Sequence, residues 1–306
     1  QQSNVTSFSA TTLAIITLEA FAGMWINAFL VSVLCFAWVK KKALNSNEKI
    51  LLLLGCCRFW HLCFSWVYSF LSIIYPNYLY VHPLIQLLAY FQNFSNCSNL
   101  WFCACLCVFY CIKIANFRNS CFIYLKVNID RIVPWLLLGS VLSALAIAII
   151  AYEIAETVHN DSHNFYCLGN FWEASVRMDK YLFPFYFLMG FGYAAPFTAV
   201  IFSAVFLLFS LWRHKRTMQT NSMNSLSVDA HIRAMKSILS FVVMYSINFV
   251  CLILTIIYAK KNENTIILLI FIYLYAFPGV HSLVLIFSNP KLEKALLKIL
   301  SCVKCK

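Results

Sequence analysis

The chain is 306 residues long, 62% hydrophobic and only 11% charged, with a formal net charge of +12. Soluble domains carry about 25% charged residues, and a mean hydropathy of +0.78 leaves no room for one. One integral membrane domain is therefore expected, and with 7 Gly and 7 Pro the chain is neither loop-rich nor fibrous.

Apolar stretches follow one another at about 10–38, 48–74, 85–113, 132–153, 183–212, 232–259 and 265–288. A membrane-crossing helix needs about 20 apolar residues, and each stretch reaches that length. Such runs are unlike the short alternating segments of transmembrane strands, and backbone in lipid must close its own hydrogen bonds. The expected fold is an all-α membrane protein, a seven-transmembrane helix bundle. The first stretch is too long for a signal-peptide core and has no basic flank before it, so it is expected to act as its own insertion signal.

The first span carries Glu19 and Asn27, and the second carries Arg58. Ionisable groups in lipid are costly and mark contacts that matter. Glu19 and Arg58 both lie about midway through adjacent spans, which points to an ion pair or a shared polar network with Asn27. His281 and Ser282 of the seventh span, just after Pro278-Gly279, are placed to join it. Helix register is the expected role. Glu19, Arg58 and His281 would also suit a small transporter or channel, although an odd number of spans disfavours two equal halves.

Polar side chains interrupt the third and sixth spans at Gln92, Asn93, Asn96, Asn248 and Thr255, and aromatics accompany them at Tyr90, Phe91, Phe249, Tyr258, Phe271 and Tyr273. A mostly apolar cavity with a few polar groups suits a small hydrophobic ligand. Hydrogen bonding between helices is the other reading of the same residues. Within the third span Cys103, Cys107 and Cys111 share one helix face. Packing explains them better than a metal ladder, since thiols in an apolar helix behave as small hydrophobes.

Most of the 23 Lys and Arg gather at one end of these spans: Lys40–Lys42 and Lys49, then Lys113, Arg118, Lys126 and Arg131, then Arg213, Lys215, Arg216, Arg233 and Lys236, then the Lys residues from Lys291 onward. Basic residues stay on the cytoplasmic side, so the N-terminus is expected outside and the C-terminus inside. The positive charge then serves topology and attraction to anionic lipid rather than nucleic-acid binding. Two sequons, at Asn4 and Asn160, fall outside on this topology and are candidate glycosylation sites. Asn160 is expected in a loop, with Cys167 beyond it. The polar stretch 217–229 is expected to be mobile. Leu292, Leu296, Leu297 and Leu300 recur at helical spacing among Lys residues, which predicts a short amphipathic C-terminal helix over about 289–300 on the inner leaflet. Cys302 and Cys305 beyond it suit palmitoylation better than metal binding.

No HExxH, GxSxG or phosphate-cradling glycine loop occurs. No enzyme activity, cofactor or metal is expected.

Six groups of residues, taken in order, resemble one receptor family. They are Glu19, Gly23 and Asn27; Gly55 and Arg58; Phe109-Tyr110 with Lys113-Ile114-Ala115-Asn116-Phe117; Pro196 with Leu207–His214 and Met218-Gln219; His231, Arg233, Ala234, Lys236, Ser240, Phe241 and Tyr245; and His281-Ser282-Leu283, Leu285-Ile286 and Asn289–Leu292. Together they resemble the type 2 bitter taste receptors. The resemblance implies a plasma-membrane G-protein-coupled receptor for bitter compounds, acting through gustducin-type and related inhibitory heterotrimeric G proteins. It implies that Gln92, Asn96 and Phe271 occupy family ligand-pocket positions in the outer half, where the polar and aromatic pattern adds Asn93, Asn248 and Phe249, and it implies a switch at Tyr245. It implies a G-protein face of Lys113, Asn116, Lys126, Arg213, Lys215, Arg216, His231, Arg233 and Lys236. Gln92 stands where the family often has Trp, and Phe271 where several members have Glu, so neutral or weakly polar aromatic ligands are expected rather than cationic alkaloids. A vomeronasal-type pheromone receptor shares the seven-span plan but should lack the Lys113–Phe117 sequence.

Overall fold

The computed structural model describes residues 2–75, 78, 83–115, 119–162, 188–218, 225–258 and 264–304. Among them the chain forms α1 (Gln2–Lys41), α2 (Ser46–Ile74), α3 (Leu84–Ile114), α4 (Ser120–Ser162), a π-helical turn (Leu188–Ala194) that leads into α5 (Ala195–Met218), then α6 (Ser225–Tyr258), α7 (Asn264–Ser288) and α8 (Pro290–Lys304). α1 to α5 and α7 each contain an apolar stretch long enough to cross a membrane, and α6 adds an apolar stretch over Leu239–Thr255. The exterior has the matching character. Trp25 and Phe36 are each 77% exposed and Trp135 is 72% exposed, a surface that only lipid solvates well.

The helices close into a ring. α1 packs on α2 and α7, α7 on α6, and α6 on α5, while α3 runs through the middle against α2, α4 and α5. Central position is why α3 is the most buried helix of the bundle, from Leu88 through Cys103 and Cys107 to Ile112. The thiols of Cys103, Cys107 and Cys111 lie in this packing and are free.

Local chemistry sets the helix ends. At the start of α2 the Glu48 carboxylate accepts from the Asn45 backbone N–H at 3.0 Å, which satisfies one orphan donor of the first turn. Glu48 also accepts from Lys291 Nζ at 3.2 Å, which ties the start of α8 to the start of α2. That hydrogen bond and the carboxylate charge raise the Lys291 pKa above its ordinary value. Pro290 opens α8, where a missing N–H costs nothing, and Asn289 Oδ1 accepts from the Lys291 N–H at 3.1 Å. α8 buries Leu292 and leaves Leu297 and Ile299 half exposed, as an amphipathic helix should. It runs on to Lys304, past the expected end near residue 300.

α4 also exceeds its apolar stretch, from Ser120 to Ser162. Asn160 therefore lies on its last turn, not in a loop, because the polar residues that end the hydropathy signal do not end the helix. In the stretch 217–229, α5 continues to Met218 and α6 begins at Ser225. Residues 219–224, Cys167 and Cys305 lie outside the described residues.

α1 and α7 approach through glycine. A Cβ on Gly279 would lie 3.0 Å from the Gly23 Cα, and one on Gly23 would lie 2.7 Å from Leu62 Cδ1. Small residues let backbones meet this closely in membranes. Gly279→Val should therefore cost about 1–3 kcal/mol through overpacking, measured as a lower midpoint in thermal unfolding of the detergent-solubilised protein. Gly139→Ala, at a position where a Cβ meets nothing within 4 Å, should leave the midpoint unchanged or higher.

Candidate functional site

The glycine contact brings three helices around Arg58, which is 0% exposed. Arg58 Nε donates to Asn99 Oδ1 at 2.9 Å, and Nη1 donates to Ser282 Oγ at 2.8 Å. Nη2 donates to Cys103 Sγ at 3.3 Å and to His281 Nδ1. A guanidinium has donors only, so each partner must turn an acceptor toward it. His281 accepts at Nδ1, which puts its ring proton on Nε2, an atom without a partner among the described residues. Ser282, having accepted, donates to Asn27 Oδ1 at 2.7 Å, and Asn27 Nδ2 donates to the Gly23 carbonyl at 2.8 Å. One charge thus orders a directional chain from α2 through α7 to α1.

Glu19 is not part of it. Its Oε2 is buried without a hydrogen-bond partner among the described residues, and the expected Glu19–Arg58 pair does not form. Asn27, eight residues further along α1, stands at the depth of Arg58, which places Glu19 about 12 Å away along the helix axis. Two groups that each look central in their own spans are separated by two turns. The same separation places Glu19 about two turns from His281, the two groups a transporter would have to couple.

Beyond Arg58, away from the Lys-rich end, a cavity of about 160 Å³ lies between α2, α3, α6 and α7. Five of the expected ligand residues line it: Gln92, Asn93, Asn96, Asn248 and Phe271. Gln92 Nε2 donates to Ser65 Oγ at 3.4 Å. Tyr193 donates to Asn93 Oδ1 at 3.2 Å and accepts from Asn96 Nδ2 at 3.3 Å. Pocket and interhelical bonding are therefore combined in these residues. Asn248 bonds to none of the described residues. Phe249 does not line the cavity; its ring stacks on Phe197 at 4.2 Å. Tyr90 and Phe91 turn away into an apolar groove facing α4, where Phe91 stacks on Phe64.

Other lining residues escaped the sequence reading: His61, Ser65, Ser69, Asn99, Tyr193 and Tyr275. Tyr275 donates to the Ser65 carbonyl at 2.6 Å and bonds Ser69 at 2.7 Å. A signal for part of this set was present, because His61, Ser65 and Ser69 follow Arg58 at helical spacing on one face of α2. Tyr245 is 1% exposed and its hydroxyl has no hydrogen-bond partner among the described residues. Its ring stacks on Phe197 and packs against Phe241.

At the Lys-rich end, Lys113 Nζ meets Asp130 Oδ2 at 2.9 Å, with both side chains exposed. Lys126 Nζ donates to the Ala115 carbonyl at 3.0 Å. Arg213, Lys215 and Arg216 lie on α5, and His231, Arg233 and Lys236 on α6. The side chains of these six, and those of Asn4, Asn160 and Cys302, lie outside the described set, as does Asn116 entirely. No cluster of potential metal ligands occurs among the described residues.

A solved structure shares this architecture. The crystal structure of squid rhodopsin superposes with a TM-score of 0.66 over 97% of this chain and 87% of that one, at 10% sequence identity. The family model for taste receptor proteins (TAS2R) matches residues 5–304. The chain belongs to the taste receptor family. Human taste receptor type 2 member 2 is 30% identical over 98% of this chain and 99% of its own length. The rhesus macaque member 7 is 30% identical over 95% and 92%, and human member 9 is 29% identical over 96% and 94%. This taste receptor is thus a multi-pass chemosensory protein of the G-protein-coupled receptor fold. It is not an enzyme, and its partners are a G protein and small molecules. The vomeronasal and transporter alternatives give way to that membership.

Two substitutions separate the observed network from the expected ion pair. Ser282→Ala strands one Arg58 N–H and should cost about 1–3 kcal/mol, read as a lower thermal midpoint. Glu19→Gln should change stability by less than about 0.5 kcal/mol.

Proposed function

We propose that this taste receptor binds small bitter compounds in the cavity between α2, α3, α6 and α7 and activates a gustducin-type or related inhibitory G protein. In this reading the whole chain is one seven-span domain in the plasma membrane, with its N-terminus outside and its Lys-rich end in the cytoplasm. The cavity then opens outward, and Lys113, Asn116, Lys126, Arg213, Lys215, Arg216, His231, Arg233 and Lys236 face the G protein. Glycans at Asn4 and Asn160 belong to the same topology.

The observation that carries the reading is the cavity itself: amides and aromatic side chains face one shared space at the end of the bundle opposite the basic residues. The cavity wall mixes apolar and aromatic side chains with amides and hydroxyls, which suits a small, partly polar agonist, and Asn248 offers it an amide that bonds to none of the described residues. Activation is a population shift, in which agonist binds one arrangement of the bundle more tightly than the other. Tyr245 suits the switch role because its buried hydroxyl lacks a partner among the described residues in this arrangement, and a repacked α6 would supply one.

A panel of bitter compounds applied to cells expressing the receptor with a chimeric G protein should release calcium, and omission of the G protein should abolish the response. Asn96→Leu and Asn248→Leu should raise the half-maximal agonist concentration about tenfold, equivalent to the loss of about 1.4 kcal/mol, with surface expression unchanged. A G-protein-independent signal, or unchanged potency in both variants, would contradict the assignment.

A further inference from the structure

The charge on Arg58 has no counterion among the described residues. Its four partners, Asn99, Ser282, Cys103 and His281, are neutral acceptors, and Glu19 stands two turns away. Buried charges are ordinarily paired with an opposite charge. Asn99 connects this unbalanced guanidinium to the cavity. Since Arg58 only donates, Asn99 must point Oδ1 at it and turn its NH2 the other way. Asn99 lines the cavity, and its amide nitrogen donates to none of the described residues. The cavity floor is therefore an N–H donor polarised by a cation directly behind it. In a low-dielectric interior that polarisation is strong and reaches far. No Asp, Glu, Lys or Arg lines the cavity to offset it.

We infer that the ligand of this cavity carries a carboxylate or an equally strong anionic acceptor, seated at Asn99 and balancing the Arg58 charge. The inference rests on the proposed ligand cavity and names its chemical class. It departs from the neutral ligands expected on sequence grounds, because the decisive group is behind the pocket and not in its wall. Ammonium ligands are disfavoured, since they would approach the guanidinium with no carboxylate between. Dimensions fit a short acid with one ring. Gln92, Asn96 and Asn99 run along one face of α3 over about 10 Å, and Leu252, Phe271, Leu274 and Tyr275 supply apolar surface beside that stripe.

The test is thermal unfolding of the purified full chain in detergent with 3-phenylpropanoate, 3-phenylpropanamide or 3-phenylpropylamine at equal concentration and pH 7. A ligand that binds only the folded state raises the midpoint by mass action. The carboxylate should raise it by about 2 °C or more, the amide by less, and the amine not at all. Asn99→Asp places a carboxylate beside Arg58 and should abolish the carboxylate shift. No shift with 3-phenylpropanoate, an equal shift with the amine, or an undiminished shift in the folded variant would overturn the inference. The comparison on the unaltered protein decides alone if the variant does not fold. No G protein takes part, so failure here leaves the receptor reading intact, and a silent calcium assay leaves this one intact.

Discussion

A guanidinium at the centre of a lipid-embedded bundle dictates how its surroundings face. Arg58 cannot accept a hydrogen bond and cannot give up its proton at any accessible pH. Four side chains on α3 and α7 must therefore turn acceptors inward. A single carboxylate would balance the charge more simply, but it would hold only one helix. Spread over neutral partners, the same charge fixes the relative rotation of α2, α3 and α7, and through Ser282 and Asn27 it reaches α1. The close approach of Gly23 and Gly279 is what makes that last step short enough.

Packing elsewhere in the bundle is of a different kind. α5 and α6 meet through rings: Phe197 stacks on Phe249, and Tyr245 lies between Phe197 and Phe241. Phe241 in turn stacks on His281 at 4.5 Å. Tyr273 holds α6 to α7 through the Met244 carbonyl at 2.5 Å. Stacked aromatic faces constrain direction less than hydrogen bonds do. The molecule thus joins a polar, register-fixed half to an aromatic half, and the cavity lies across the boundary. A ligand bound there, as proposed, would touch both the fixed amides of α3 and the ring-packed α6 and would favour whichever arrangement of the two it fits better.

Hydropathy made the helices legible, because an apolar run of spanning length in a charge-poor chain has few other fates. It did not show where they end. α4 continues through Glu153 and Glu156 to Ser162 because helix propensity does not stop at the membrane surface. Gln92, Asn93, Asn96 and Asn248 stood out as polar interruptions in apolar spans. Ser65 and Tyr275 did not, since a lone hydroxyl among aromatics looks like ordinary packing. Glu19 and Arg58 misled for a geometric reason: depth judged from the middle of a span is uncertain by a turn or two, and an ion pair tolerates no such error. Asn99 was invisible because its importance derives from what lies behind it, a relation between helices that no single stretch of sequence contains.

A double-mutant cycle on Arg58 and Asn99 tests most directly whether the guanidinium organises the bundle. Thermal or denaturant unfolding of Arg58→Met, Asn99→Leu and the double variant gives their coupling energy. The account predicts about 1.5 kcal/mol or more, since each single change strands a buried group that the double change removes. Effects that add to within about 0.5 kcal/mol would show that the two side chains do not depend on each other, contrary to the account.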